Sequence, residues 1–227
     1  NYVFALSSLN KSPLNASRIP RFAELGLSGL GNSFKVTEAD LVLSGLYAGS
    51  YSKNQREMNL KFPEIFFGNI NQYSSKLDLS NDSKRIFLIA DENTKSCIDR
   101  IEINSLKDGK LCILGAGEEH KNLSQIETIW SFLNRHQASR NDHVYIIGGG
   151  VICDMGAFAA STYKRGVPFS LVPTSLLAMV DASVGGKTGF NFNNLKNNIG
   201  TFSQPTAIYC DSQFLNSLKM DEKMAGM

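Results

Sequence analysis

The chain is 227 residues long, 42% hydrophobic and 19% charged, with a formal net charge of +2. That profile supports one large or two small globular domains and excludes wholesale disorder. The near-neutral charge and the lack of any Lys/Arg block argue against nucleic-acid binding, and apolar runs such as VYII and SLLAMV are far too short to cross a bilayer.

Residues 1–60 are rich in Ser, Asn, Leu and Gly and contain no repeat or motif. Weak helical patterns cover Pro20–Leu27 and begin at Thr37, and the segment stays unassigned. The chain begins at Asn1, and residues 1–20 lack a basic-then-apolar pattern, so no secretion signal is expected. From Phe62 the pattern sharpens. Pro63–Phe67 reads as a strand, as do the apolar runs Arg85–Ala90, Lys110–Leu114, His143–Ile147 and Phe169–Val172. Between them fall helices. One is capped by Asn93 or Thr94 and runs to Ile101. A second starts at Asn122 or Ser124 with Leu123, Ile126, Ile129, Trp130 and Leu133 on one face. A third covers Asp154–Tyr163 with a small-residue face, and a fourth covers Leu176–Val180. This alternation predicts an α/β fold with a mostly parallel sheet and helices on both faces. Ligands then bind at the carboxyl ends of the strands, where Asp91–Thr94, Gly115–Lys121, Gly148–Asp154 and Pro173–Ser175 fall.

Cys97, Cys112, Cys153 and Cys210 form no CxxC pair and are expected to be buried, reduced thiols of a cytoplasmic protein. His120, His136 and His143 show no HxxxH spacing, so no complete zinc motif is expected within the chain.

Two glycine-rich stretches carry the chemistry. Gly148-Gly149-Gly150 joins a strand to a helix, where backbone N–H groups can approach a pyrophosphate. Gly148 and Gly150 fit the first two glycines of GxGxxG, but Cys153 holds the third position and no acidic residue ends the next strand. This points to a phosphate-binding turn of another α/β type, against the plainer reading of a tight turn alone. Gly186-Lys187-Thr188 looks like a nucleotide phosphate loop, yet Asp181 stands where that motif needs glycine and no strand precedes it. Lys187 and Lys196 are instead candidate cationic donors to a phosphate or carboxylate, against a merely solvated loop. In Gly117–Lys121, Glu118 suits a ribose hydroxyl and Lys121 a phosphate.

Five collinear runs carry a resemblance: GEEHK (117–121), GGGVICDMGAFAA (148–160), Arg165-Gly166, PTSLLAMVDASVGGKTGFN (173–191) and LKNNIGTFSQP (195–205). Together they resemble the 3-dehydroquinate synthase family. Cys153 and Ala157 stand where many members have glycine, and Leu195 replaces a glycine before Lys196. The resemblance implies a Rossmann-like NAD-binding α/β domain over residues 61–217. Residues 218–227 would open a helical metal-binding domain. It implies cofactor contacts from Asp91, Asn93, Glu118, Lys121, Gly149, Gly150, Val151, Asp154, Thr174, Ser175, Lys187, Lys196, Phe214, Leu215, Asn216 and Ser217. Arg165, Asp181, Lys187, Lys196 and Asn197 would face the substrate.

The implied reaction converts 3-deoxy-arabino-heptulosonate 7-phosphate to 3-dehydroquinate and phosphate. It proceeds by NAD-mediated oxidation, phosphate elimination, reduction and intramolecular aldol closure, with a divalent metal as Lewis acid. The family's zinc or cobalt ligands, a glutamate and two histidines, are expected beyond Met227, so this chain alone should be inactive. A homodimer is a further implication. The alternatives are another sugar phosphate cyclase, such as 2-deoxy-scyllo-inosose synthase, or a non-catalytic NAD-binding module.

Overall fold

A computed structural model describes residues 63–77 and 84–218. The expected helices at Pro20–Leu27 and from Thr37, and residues 219–227, lie outside the described residues.

Six strands form one parallel sheet: β1 (Glu64–Phe67), β2 (Ile86–Asp91), β3 (Lys110–Leu114), β4 (His143–Gly148), β5 (Phe169–Pro173) and, late in the chain, β8 (Ala207–Cys210). Their order is β1-β8-β5-β4-β2-β3, and every pairing is parallel. All residues of β2, β4, β5 and β8 are buried, which is why these strands read as unbroken apolar runs. Alternate side chains feed two cores. Phe87, Ile89 and Ile146 join one; Leu88, Ala90, Tyr145 and Ile147 join the other.

The first core is covered by two 13-residue helices, α1 (Leu123–Arg135) and α2 (Gly150–Thr162). Helix α1 buries Ile126, Ile129 and Leu133 on one stripe, and the Asn122 side chain caps it by accepting from the Gln125 N–H. Helix α2 is buried from Ile152 to Ala160 apart from Asp154, because the sheet, α1 and a β-hairpin enclose it. That is the physical use of its small residues. A Cβ on Gly156 would lie 2.8 Å from Cγ2 of Ile146, so glycine sets how closely α2 lies on β4. The second core is covered by short helical turns, including Lys95–Ile98 and Asn104–Lys107.

Several expected elements differ. The helix expected to reach Ile101 is only Lys95–Ile98; the chain then leaves through tighter turns in which the Arg100 and Ile101 N–H groups donate to the Cys97 and Ile98 carbonyls. Helix α2 starts at Gly150, four residues before Asp154, since Gly149 is itself its N-cap. The helix expected over Leu176–Val180 includes a π-helical turn, Ala178–Ala182. The stretch expected to be a glycine-rich loop is an antiparallel hairpin, β6 (Lys187–Phe192) and β7 (Leu195–Phe202). Asn193 and Asn194, with φ of 50° and 60°, form its two-residue turn.

At the amino ends of the strands, Asp142 is buried and accepts from Arg85 and from the Ser139 N–H. Beside it, His143 is buried with Nε2 2.9 Å from the Ser170 hydroxyl. Burial, reinforced by the charge of Lys84, lowers its pKa to about 4. The folded state therefore resists protonation that the unfolded chain accepts near pH 6.5. His143 favours folding fully above that pH, and the benefit is lost as pH falls toward 4. The loss should approach about 3 kcal/mol. Urea melts between about pH 4 and 7 check this: the slope should flatten in His143→Gln, and an unchanged slope would refute it. All four cysteines are buried and free. Burial pushes Cys112 up to about 11 and Cys153 and Cys210 up to about 12, so they are poor nucleophiles.

Candidate nucleotide site

The chain passes from β2 to β3 on one side and then returns to place β4 on the other. The strand order reverses between β2 and β4, and the carboxyl ends of strands at such a reversal are where open parallel sheets bind ligands. Two loops meet there. The Thr94 hydroxyl donates to the Ile147 carbonyl at 3.1 Å, tying the Asp91–Thr94 turn to the end of β4. Asp91 is buried and engaged within its own turn, whereas Asn93 is exposed.

The three glycines divide their roles. A Cβ on Gly148 would lie 2.6 Å from Cβ of Ile152, so this residue lets strand and helix meet. A Cβ on Gly149 would find Ser175 Oγ at 3.5 Å, and one on Gly150 would find the Ala182 methyl at 3.4 Å. Both positions would take a methyl in van der Waals contact, Gly149 against Ser175 and Gly150 against Ala182. Among the described residues no side chain caps this helix, so its first N–H groups and its dipole remain for an anion. The Thr174 N–H donates to the Gly148 carbonyl at 2.9 Å, which holds Thr174-Ser175 alongside. Val151 is half-buried behind the turn.

One turn along α2, Asp154 pairs with Lys121 at 2.5 Å, and the same ammonium donates to Asn197 Oδ1 at 2.5 Å. Lys121 is 4% exposed. Its amine is thus already held by two oxygens. Burial raises the Asp154 pKa, the Lys121 ammonium opposes this, and the charges of Asp181 and Glu118 add to the rise. Those two carboxylates are therefore electrostatic neighbours of the pair. Asp181 and Lys187 form a wide, exposed pair at 3.8 Å, a contact worth little to stability. Lys196 is exposed on the widened part of β7, next to Asn197.

Glu118, Lys121, Asp154 and Asn197 thus come together, with Asp181 and Lys187 nearby. Arg165 does not join them. It follows α2 at its far end, beside the start of β5, and α2 is roughly 20 Å long at about 1.5 Å per residue. Lys164, Arg165 and Gly166 all have positive φ there, and Arg140 Nε donates to the Lys164 carbonyl. Phe214 and Leu215 are core side chains in the 3-10 turn Ser212–Ser217, and the Phe214 N–H donates to the Asp211 carbonyl within it; Asn216 and Ser217 are exposed. The sequence reading omits Asn191 from the site. It bonds to three residues of this cluster, and its place beside the Asn193-Asn194 turn is the available signal.

The family model described as 3-dehydroquinate synthase N-terminal matches residues 111–225, about half of the chain. The chain belongs to the 3-dehydroquinate synthase family. A 3-dehydroquinate synthase from Parabacteroides distasonis is 41% identical over 144 residues, covering 63% of this chain and 41% of the relative. One from Campylobacter jejuni subsp. doylei is 43% identical, covering 68% of this chain and 45% of the relative. The chain spans less than half the length of these relatives. Among solved structures, a 2-deoxy-scyllo-inosose synthase in complex with carbaglucose-6-phosphate, NAD+ and Co2+ aligns with a TM-score of 0.64 at 25% identity, covering 72% of this chain and 46% of that one. ValA, a 2-epi-5-epi-valiolone synthase from Streptomyces hygroscopicus subsp. jinggangensis with NAD+ and Zn2+ bound, aligns with a TM-score of 0.62 at 27% identity, covering 74% and 48%. These likenesses agree with the parallel α/β fold expected from sequence.

Proposed function

We propose that this chain is the nucleotide-binding part of an enzyme that carries out the 3-dehydroquinate synthase reaction, with NAD as its cofactor and a sugar phosphate as its substrate. The observation that carries the reading is the Gly149-Gly150 turn: a helix start with no side-chain cap, beside Ser175, where the strand order reverses. The turn fits a pyrophosphate, which would lie on the N–H groups of Gly150 and Val151. Glu118 is suited to accept from a ribose hydroxyl. The exposed amines of Lys187 and Lys196 are suited to the substrate's carboxylate and phosphate, where they would position it and offset charge. When bound, NAD would supply reversible hydride removal from an alcohol carbon. The greater identity to 3-dehydroquinate synthases than to the other cyclases favours the heptulosonate phosphate as substrate. The cytoplasm is the proposed location, supported by the four buried free thiols; among the described residues no helix is long and apolar enough to cross a membrane.

Among the described residues no group of three or more His, Cys, Asp or Glu side chains is placed to hold a metal ion. Calorimetric titration of NAD into the 227-residue chain, with and without zinc, tests the reading. Binding that is independent of zinc is expected; no binding in either condition overturns the site. For the whole enzyme, phosphate release from 3-deoxy-arabino-heptulosonate 7-phosphate is expected, and turnover of glucose 6-phosphate instead would indicate another cyclase.

A further inference from the structure

Asn191 sits where the pairing of the hairpin breaks. Phe190 pairs with Ile199 and Phe192 with Leu195, so this one residue of β6 faces three of β7. Its own bonds span the gap. The Asn191 N–H donates to the Lys121 carbonyl at 2.9 Å. Its side-chain Nδ2 donates to Glu118 Oε1 at 2.9 Å, and its Oδ1 accepts the Asn197 N–H at 2.8 Å. Asn197 has a φ of 51°, a left-handed conformation uncommon outside glycine, and in that conformation its side chain reaches the Lys121 ammonium. One side chain thus sets both the carboxylate before Lys121 and the amide oxygen that Lys121 meets. An amide suits this place because the two bonds need a donor and an acceptor on one short stem.

We propose that Asn191 is a positioning residue for nucleotide binding: it holds Glu118 and Asn197 in register around the Lys121–Asp154 pair. This rests on the reading that the site binds NAD. The bonds of Asn191 reach Glu118, Lys121 and Asn197 rather than the glycine turn, so it acts on the nucleotide through those three residues.

A double-mutant cycle on NAD affinity tests it. Asn191→Asp keeps the acceptor for Asn197 but sets a carboxylate against Glu118, and affinity should fall roughly tenfold. In the Glu118→Gln background the same change should cost little, because the amide introduced at position 118 can donate to the new carboxylate. The repulsion between the added charge and an anionic cofactor is present in both backgrounds and cancels in the cycle. A coupling of about fivefold or more supports the proposal, and equal costs in both backgrounds overturn it. The second measurement is amide hydrogen exchange without nucleotide. Asn191→Ala should speed exchange at Asn197 and across residues 117–121 at least about tenfold, while leaving β4 and α2 protected. Unchanged exchange at those residues overturns the positioning role even if NAD proves not to bind. If the wild-type chain fails to bind NAD, the nucleotide reading falls with it, and the exchange result alone then decides whether Asn191 orders the two loops.

Discussion

Alanine at Gly149 should leave the chain folded and abolish most of its affinity for NAD, whereas alanine at Gly148 should damage both. Gly149 has φ −74° and ψ −174°, an extended conformation that alanine adopts freely, and the nearest atom to the new methyl would be Ser175 Oγ at 3.5 Å. The protein has room for that methyl, but it would stand where a pyrophosphate must approach the helix start. Stability should change by less than about 1 kcal/mol, the scale of an N-cap change, while affinity should fall at least roughly tenfold. At Gly148 the methyl would meet Cβ of Ile152 at 2.6 Å and Cγ2 at 2.7 Å. Every residue but glycine carries that Cβ, so Ile152→Ala should not rescue the variant, and α2 must move off the strand. Overpacking of this kind costs about 1–3 kcal/mol. Urea melts and NAD calorimetry on the two variants check the pair. Equal loss of stability in both would refute the packing difference between the two glycines, and unimpaired binding by Gly149→Ala would remove the pyrophosphate from this turn.

Removing Lys121 should cost more stability than any single change on the surface of this site. In Lys121→Met, Asp154 loses its ion-pair partner and the Asn197 side chain loses a donor. The Lys121 and Asp154 side chains are 5% and 19% exposed, so water repairs little of this. Breaking a buried pair from one side costs about 3–5 kcal/mol, because a charge is left uncompensated. The double variant Lys121→Met/Asp154→Leu should recover most of that stability. It should not recover nucleotide affinity, since the first turn of α2 and the Glu118 loop lose their link. The pH dependence gives a second check. Burial already raises the Asp154 pKa, and without the opposing ammonium it rises further. A carboxyl with a raised folded-state pKa takes up a proton more readily when folded, so the penalty in Lys121→Met should be largest near neutrality. It should shrink as pH falls through the pKa of Asp154. A penalty that does not vary with pH would show that lost packing of the lysine stem causes it.

The inner strands of the sheet are legible because they are buried on both faces, and the partly exposed edge strand β3 still carries enough apolar residues to be read. RIFLIA, KLCIL, HVYII and FSLV each read as a strand from apolar content alone, and the loops between them fall at the carboxyl ends as expected. Strand β8 gives no such signal: AIYC is four residues long and follows a polar run, with little local pattern to separate it from loop. The hairpin resembles a loop in sequence because its glycines and asparagines suggest a chain passing close to a ligand. Two of those glycines serve strand pairing instead. A Cβ on Gly200 would run into the Thr188 carbonyl oxygen, and one on Gly189 would meet the Ile199 carbonyl oxygen at 2.5 Å. The Asn193-Asn194 turn is the feature that marks it as a hairpin.

Local patterns in the chain are enough to specify the α/β class, the glycine turn at the end of β4 and the buried thiols, because each depends on residues within a few positions of one another. Partnership across the site is not encoded locally. Lys121 finds Asp154 33 positions away, and Asn191 finds Glu118 73 positions away. Those bonds exist because the order of the strands brings the Glu118 loop, the first turns of α2 and the hairpin tip to one end of the sheet. The same arrangement sends Arg165 to the other end, although it lies only 11 positions from Asp154, because a straight helix carries the chain away along its own length.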